Sequence, residues 1–151
     1  MKPILIAVAP YYQEIAEALV MGATQVASAA GFRVEVVTVP GAFELPAAIG
    51  YALRSERYSG YIALGCVIRG ETSHYDYVCS ESARGLQNLA VEFGAAIGYG
   101  ILTCETLEQA VERSDPAQGD KGGEAARACI RMIELQHVFL GDGRGEASEA
   151  E

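Results

Sequence analysis

Apolar residues in this chain follow two rhythms. Short unbroken runs alternate with longer stretches in which apolar residues recur every three or four positions. Residues 4–9 are the first run, and Pro10 ends it. A bounded run of that length predicts a buried strand. Across residues 11–30, Ile15, Leu19, Gly22, Val26 and Ala30 keep the second rhythm. That predicts an amphipathic helix, with Gly31 as its stop. Residues 33–39, rich in valine, predict a second strand, broken by Pro40 and Gly41. Residues 43–54 read as helix, with Leu45, Ile49, Ala52 and Leu53 on one face. Pro46 falls in its first turn, where a missing N–H costs little. Residues 61–68 predict a third strand. A long helix follows over residues 73–93, its inner face marked by Tyr75, Val78, Ser82, Leu86, Leu89 and Phe93, with Gly94 after it. Residues 95–102 predict a fourth strand containing Gly98 and Gly100. Thr103 is expected to cap a short helix, with Glu105 in its first turn and Leu107, Ala110 and Val111 inside. Residues 115–121 read as a polar loop, and Gly122 and Gly123 lead into a last helix over residues 124–140.

Strand and helix patterns alternate, and most of the strands are apolar on both faces. That combination predicts a parallel sheet covered by helices on both sides. In such sheets ligands bind outside the carboxyl ends of the strands. Here those ends are residues 9–12, with Tyr11 and Tyr12, residues 39–44, with Ala42, Phe43 and Glu44, residues 68–74, and residues 103–105. Aromatic, polar and glycine residues gather there, as expected of a small-molecule site.

Composition adds three constraints. Half of the 151 residues are hydrophobic, which is rich for a monomer of this size and points to a subunit interface or an unusually large core. The net charge of −9 argues against nucleic acid as a partner. Cys66, Cys79, Cys104 and Cys129 are widely spaced, which fits buried thiols in a reducing cytoplasm better than a disulfide scaffold or a zinc site. The chain is expected to form one domain over residues 1–140. An acidic, disordered tail over residues 141–151 is expected after it. No signal-peptide pattern opens the sequence, and no apolar stretch reaches the length of a membrane span.

The chemistry concentrates at residues 65–78, GCVIRGETSHYDYV. A strand runs into a glycine turn and a helix start. Thr72 and Ser73 are good N-caps, and Asp76 stands in a capping position three residues past Ser73. Such a junction turns free N–H groups outward and suits an anion at Gly70, Glu71 and Thr72, although an ordinary capped turn accounts for it equally well. His74 falls in the first turn, where the helix dipole favours a neutral imidazole that can pass a proton. A partly exposed structural histidine is the commoner case elsewhere. Tyr11 or Tyr12, Phe43 and Tyr99 can stack a planar ligand or simply pack. Glu44 can be no more than a favourable charge at a helix start. Arg113 and Lys121 can grip an anion or stand as solvated basic residues. His137, near the end of the last helix, reads as a surface residue. Phosphate-loop, dinucleotide, nucleophile-elbow and zinc-protease motifs are absent from the sequence.

Five segments in order carry a resemblance. They are VPGAFELP at 39–46, the stretch at 65–78, GILT at 100–103, EQA at 108–110 and GDKG at 119–122. Together they resemble the 6,7-dimethyl-8-ribityllumazine synthases, from residue 4 to about residue 140. The resemblance implies condensation of 5-amino-6-ribitylaminouracil with 3,4-dihydroxy-2-butanone 4-phosphate, the penultimate step of riboflavin synthesis. It implies no metal and no organic cofactor. It implies a three-layer αβα sandwich around a four-stranded parallel sheet, flavodoxin-like in outline. It also implies a homo-oligomer with sites between subunits, and riboflavin synthase as a pathway neighbour. Position by position, His74 matches the acid–base histidine and Tyr11 the aromatic that stacks on the pyrimidine. Ala42, Phe43 and Glu44 match the ribityl-binding segment, and Val67 and Ile68 the backbone lining the pyrimidine pocket. Gly70, Glu71 and Thr72 match the phosphate loop, and Arg113 the phosphate-binding arginine. Tyr99, Arg113 and Lys121 would come from the neighbouring subunit.

Two departures stand out. The family commonly places a polar residue after the stacking aromatic, and here that position is Tyr12. The sequence also begins close to its first core strand, whereas shell-forming members usually carry an extra strand before it, so a pentamer or decamer is expected. Two rival readings remain: a flavin- or lumazine-binding paralogue with weak turnover, and an unrelated flavodoxin-like domain for another phosphate ligand.

Overall fold

A computed structural model describes residues 1–141. Of the tail expected over residues 141–151, all but residue 141 lies outside the described residues. The chain runs β1 (Ile4–Val8), α1 (Gln13–Ala29), β2 (Val34–Thr38), a 3-10 turn (Ala42–Glu44), α2 (Leu45–Ser55), β3 (Gly60–Ile68), α3 (His74–Phe93), β4 (Ile97–Cys104), α4 (Leu107–Ser114) and α5 (Lys121–Leu140). The four strands form one sheet in the order β2-β1-β3-β4, all parallel.

Alternation along the strands builds two cores. Ile4, Ile6, Val8, Ile62, Leu64 and Cys66 point to one face, under α1, α4 and α5. Leu5, Ala7, Ala9, Tyr61 and Ala63 point to the other, under α2 and α3. β1 is therefore apolar on both sides and fully buried. The predicted αβα sandwich around four parallel strands is the observed architecture.

β1 and β3 are neighbours, yet the chain leaves them in opposite directions. After β1 it crosses through α1 to β2, and after β3 it crosses through α3 to β4. A crevice opens at the carboxyl ends of two strands so related.

Several local expectations are corrected. Thr103 does not cap a helix, because β4 runs on to Cys104. The cap is Thr106, which closes a capping box with Gln109. Ser73 holds the N-cap position of α3 without a side-chain bond, and Asp76 pairs with Arg69 instead. α1 starts at Gln13, so Tyr11 and Tyr12 stand ahead of the helix. Ala30, Phe93, Leu107 and Val111, expected inside, are exposed. Cys66, Cys104 and Cys129 are buried, but Cys79 is only half-buried.

Gly122 and Gly123 lie within α5 rather than ahead of it. The reason is close packing on α1. A Cβ at Gly122 would lie 2.1 Å from the Leu19 carbonyl oxygen. Asp120 caps the helix from a left-handed backbone (φ 48°), accepting from the Gly123 N–H at 3.1 Å. The β4 glycines serve the same packing, since a Cβ at Gly98 would meet the Ala125 carbonyl oxygen at 2.0 Å. The contact at Gly122 is backbone and cannot turn aside. Gly122→Ala is therefore expected to destabilise the protein by about 3 kcal/mol, read as a lower denaturant midpoint at fixed protein concentration. An unchanged midpoint would show that α1 and α5 separate easily.

Candidate functional site

The crevice between the ends of β1 and β3 is a cavity of about 430 Å³. Four chain segments wall it. The end of β1 brings Ala9, Tyr11 and Tyr12. The segment entering the 3-10 turn brings Gly41, Ala42, Phe43 and Glu44. The end of β3 brings Cys66, Val67 and Ile68. The following turn and helix bring Gly70, Thr72, His74, Tyr75 and Val78. Each segment follows a strand end or opens a helix, so backbone geometry, not loop length, places it.

One wall is aromatic. Tyr11 is 77% exposed. Tyr12 packs behind it edge-on, with ring centroids 4.9 Å apart and planes at 83°. Burial pushes the Tyr12 phenol pKa up, with the Cys66 thiol and then Tyr11 adding to the shift. Phe43 is also exposed. A planar ring entering here finds aromatic surface left open by the described residues.

The opposite wall is polar. Thr72 Oγ1 accepts the His74 N–H at 3.2 Å, which places the imidazole at the start of α3. Among the described residues, its two chain neighbours aside, nothing comes within 4 Å of a Cβ at Gly70, so the space above that backbone is open to a ligand. Glu44 and His74 are the only Asp, Glu, Lys, Arg or His side chains among the lining residues. An anion entering the cavity meets helix N–H groups but no lysine or arginine.

Of the residues singled out from sequence, Tyr11, Ala42, Phe43, Glu44, Val67, Ile68, Gly70, Thr72 and His74 come together here. Glu71 belongs to the same turn but does not line the cavity. Tyr99, Arg113 and Lys121 lie elsewhere on the chain. Tyr99 lines a separate groove with Arg84 and Leu86. Arg113 Nη1 donates to Cys104 Sγ at 3.6 Å, and Lys121 Nζ donates to Glu124 at 3.0 Å. Sequence reasoning missed Cys66, Tyr75 and Val78 as lining residues. Tyr75 and Val78 could have been found, since they stand one and four positions past His74 on the same helix.

Cys66 is a poor nucleophile despite its place in the cavity. Burial, with Cys104 beside it, pushes its thiol up to about 12. The raised value favours the neutral thiol in the fold. Its contribution to stability is thus complete below pH 9 and is lost as pH rises toward 12. At pH 9 only about a thousandth of Cys66 is thiolate, against half of an ordinary thiol at its pKa. Iodoacetamide at pH 9 should alkylate Cys66 at least ~100-fold more slowly in the native protein than in the unfolded chain. Peptide mass mapping checks this, and equal rates in the two states would contradict the shift.

Comparison with known proteins bears on this arrangement. The family profile for 6,7-dimethyl-8-ribityllumazine synthase matches residues 2–137. A 6,7-dimethyl-8-ribityllumazine synthase from Erythrobacter litoralis is 50% identical over 139 residues, covering 92% of this chain and 99% of its own. One from Novosphingobium aromaticivorans is 51% identical over 136 residues, covering 90% and 97%. 6,7-Dimethyl-8-ribityllumazine synthase 1 from Rhizobium meliloti is 51% identical over 138 residues, covering 88% and 90%.

Proposed function

The chain belongs to the 6,7-dimethyl-8-ribityllumazine synthase family, and we propose that the cavity between Tyr11 and His74 is its active site. The protein is a transferase of riboflavin biosynthesis. It condenses 5-amino-6-ribitylaminouracil with 3,4-dihydroxy-2-butanone 4-phosphate to give 6,7-dimethyl-8-ribityllumazine, phosphate and water. The observation that carries the site is the pairing, across one cavity, of an aromatic wall with a helix start bearing His74.

In this reading the pyrimidine lies against Tyr11. Its ribityl chain runs along Ala42, Phe43 and Glu44, and Val67 and Ile68 line the ring. The butanone phosphate docks at Gly70, Glu71 and Thr72, on the N-terminal end of α3. The amine attacks the ketone to form a carbinolamine and, with loss of water, an imine. His74 carries the protons that accompany phosphate departure and ring closure. Holding two substrates in register supplies much of the acceleration.

The charge of the cavity supports a shared site. A phosphate needs a cation, and the lining of one copy offers no lysine or arginine. Arg113 can bind phosphate oxygens in pairs, and Lys121 adds a second positive charge. With Tyr99, they would reach the cavity from a neighbouring copy. Exposed apolar side chains, among them Val36, Phe93, Tyr99 and Val111, supply surface for that contact. We assign the assembly as a pentamer or a stacked decamer. The free thiols support a reducing cytoplasm as the place of the reaction.

The decisive experiment mixes the purified protein with both substrates and follows lumazine fluorescence. Formation well above the spontaneous rate is expected, and none above it would remove the reading. His74→Ala should lower turnover without abolishing it, because orientation survives the change. Complete loss in a correctly assembled variant would make proton transfer the whole of catalysis. Arg113→Ala should raise KM for the butanone phosphate and leave KM for the pyrimidine nearly unchanged. Oligomers reassembled from Arg113→Ala and His74→Ala subunits should exceed either parent in activity. A mixture no better than its parents would place both residues in the same subunit's site.

A further inference from the structure

Arg69 is the first residue beyond β3 and stands between the strand and the glycine of the phosphate loop. Its side chain is gripped from two sides. Nε donates to both carboxylate oxygens of Glu105, at 3.0 and 3.2 Å, just past the end of β4. Nη1 lies 3.5 Å from Oδ1 of Asp76, in the first turn of α3. The guanidinium also stands 4.3 Å from the centroid of the Tyr75 ring, on the same turn. Its own backbone N–H donates to the Cys104 carbonyl at 2.9 Å, fastening the residue to β4.

Tyr75 and Asp76 directly follow His74. The other side-chain ties of that helix start are few: Ser73 makes no side-chain cap, Thr72 Oγ1 supplies a single bond, and Tyr75 hydrogen-bonds the side chains of Thr103 and Cys79. Exposed ion pairs taken singly contribute little to stability. Here one ordered guanidinium serves two carboxylates and a ring, so its effect falls on the orientation of a turn more than on global stability. Its charge is opposed by both Glu105 and Asp76, which leaves it a poor counter-ion for a ligand.

We propose that Arg69 is a positioning residue: it clamps the first turn of α3 to the ends of β3 and β4 and thereby fixes the His74 imidazole over the cavity. The proposal rests on the reading of His74 as the proton carrier. Lysine is a weak substitute, because a single ammonium cannot meet Glu105 and Asp76 through separate nitrogens while stacking a plane on Tyr75.

Two readouts test it on the assembled enzyme. The first is a double-mutant cycle with His74. Arg69→Met should lower kcat about tenfold, a loss in keeping with a displaced catalytic group, and leave KM for the butanone phosphate within about twofold. In a His74→Ala background the same change should cost less than about twofold, and Arg69→Lys should restore only part of the loss. The second readout is the imidazole NMR signals. The chain has only two histidines, so His74 can be followed with His137 as a remote control. Arg69→Met should move the His74 signals and leave those of His137 in place. Equal losses in both backgrounds with unmoved His74 signals would overturn the clamp. A raised KM for the phosphate substrate with kcat retained would overturn it too, making Arg69 a phosphate ligand. If the unaltered protein made no lumazine, the proposed function would fall, and the His74 signals would still decide whether the clamp exists.

Discussion

The structure depends on one topological constraint. Two adjacent parallel strands send their chains to opposite sides, so nothing crosses the gap between their carboxyl ends. Right-handed crossovers put α1 on one face and α3 on the other. The segment after β1 and the turn after β3 are left facing each other across the opening. Rigid strands buried on both faces set the width of the gap. Hence the cavity walls are strand ends and helix starts, which hold side chains more closely than free loops do.

Charge organises what that opening can do. The walls supply an aromatic surface, one carboxylate, one imidazole and helix N–H groups. Arginine is present nearby but already engaged, because Arg69 is held by Glu105 and Asp76. Thiol chemistry is suppressed, because burial keeps Cys66 protonated. What remains suits the orientation of neutral and anionic carbon skeletons, with proton movement at a single imidazole.

The strands were legible because an unbroken apolar run allows few other readings. Helix ends were less so, since several residues can serve as a cap. Thr103 and Thr106 are equally able in sequence, and only the length of β4 selects the second. Gly122 and Gly123 resemble a loop until the approach of α1 is known. Phe93, Leu107 and Val111 keep a core rhythm and are nonetheless exposed, because periodicity marks a face without saying what covers it. The cavity was largely readable, since tyrosine, glycine and histidine at strand ends break the apolar pattern. Cys66 and Val78 stayed hidden because they look like core. Tyr99, Arg113 and Lys121 stayed apart because one copy of the chain does not bring them to the cavity.

β2 has a further consequence. It stands at the edge of the sheet with Val36 and Val37 in contact with water, and its outer backbone groups pair with no strand among the described residues. An open valine-rich border is a template for any extended segment that meets it. The interval between folding and assembly is then a race between correct partners and random ones. Mutual repulsion among molecules of charge −9 slows the random encounters. The acidity of the chain, which plays no part in holding phosphate, thereby acts as protection for subunits still on their own.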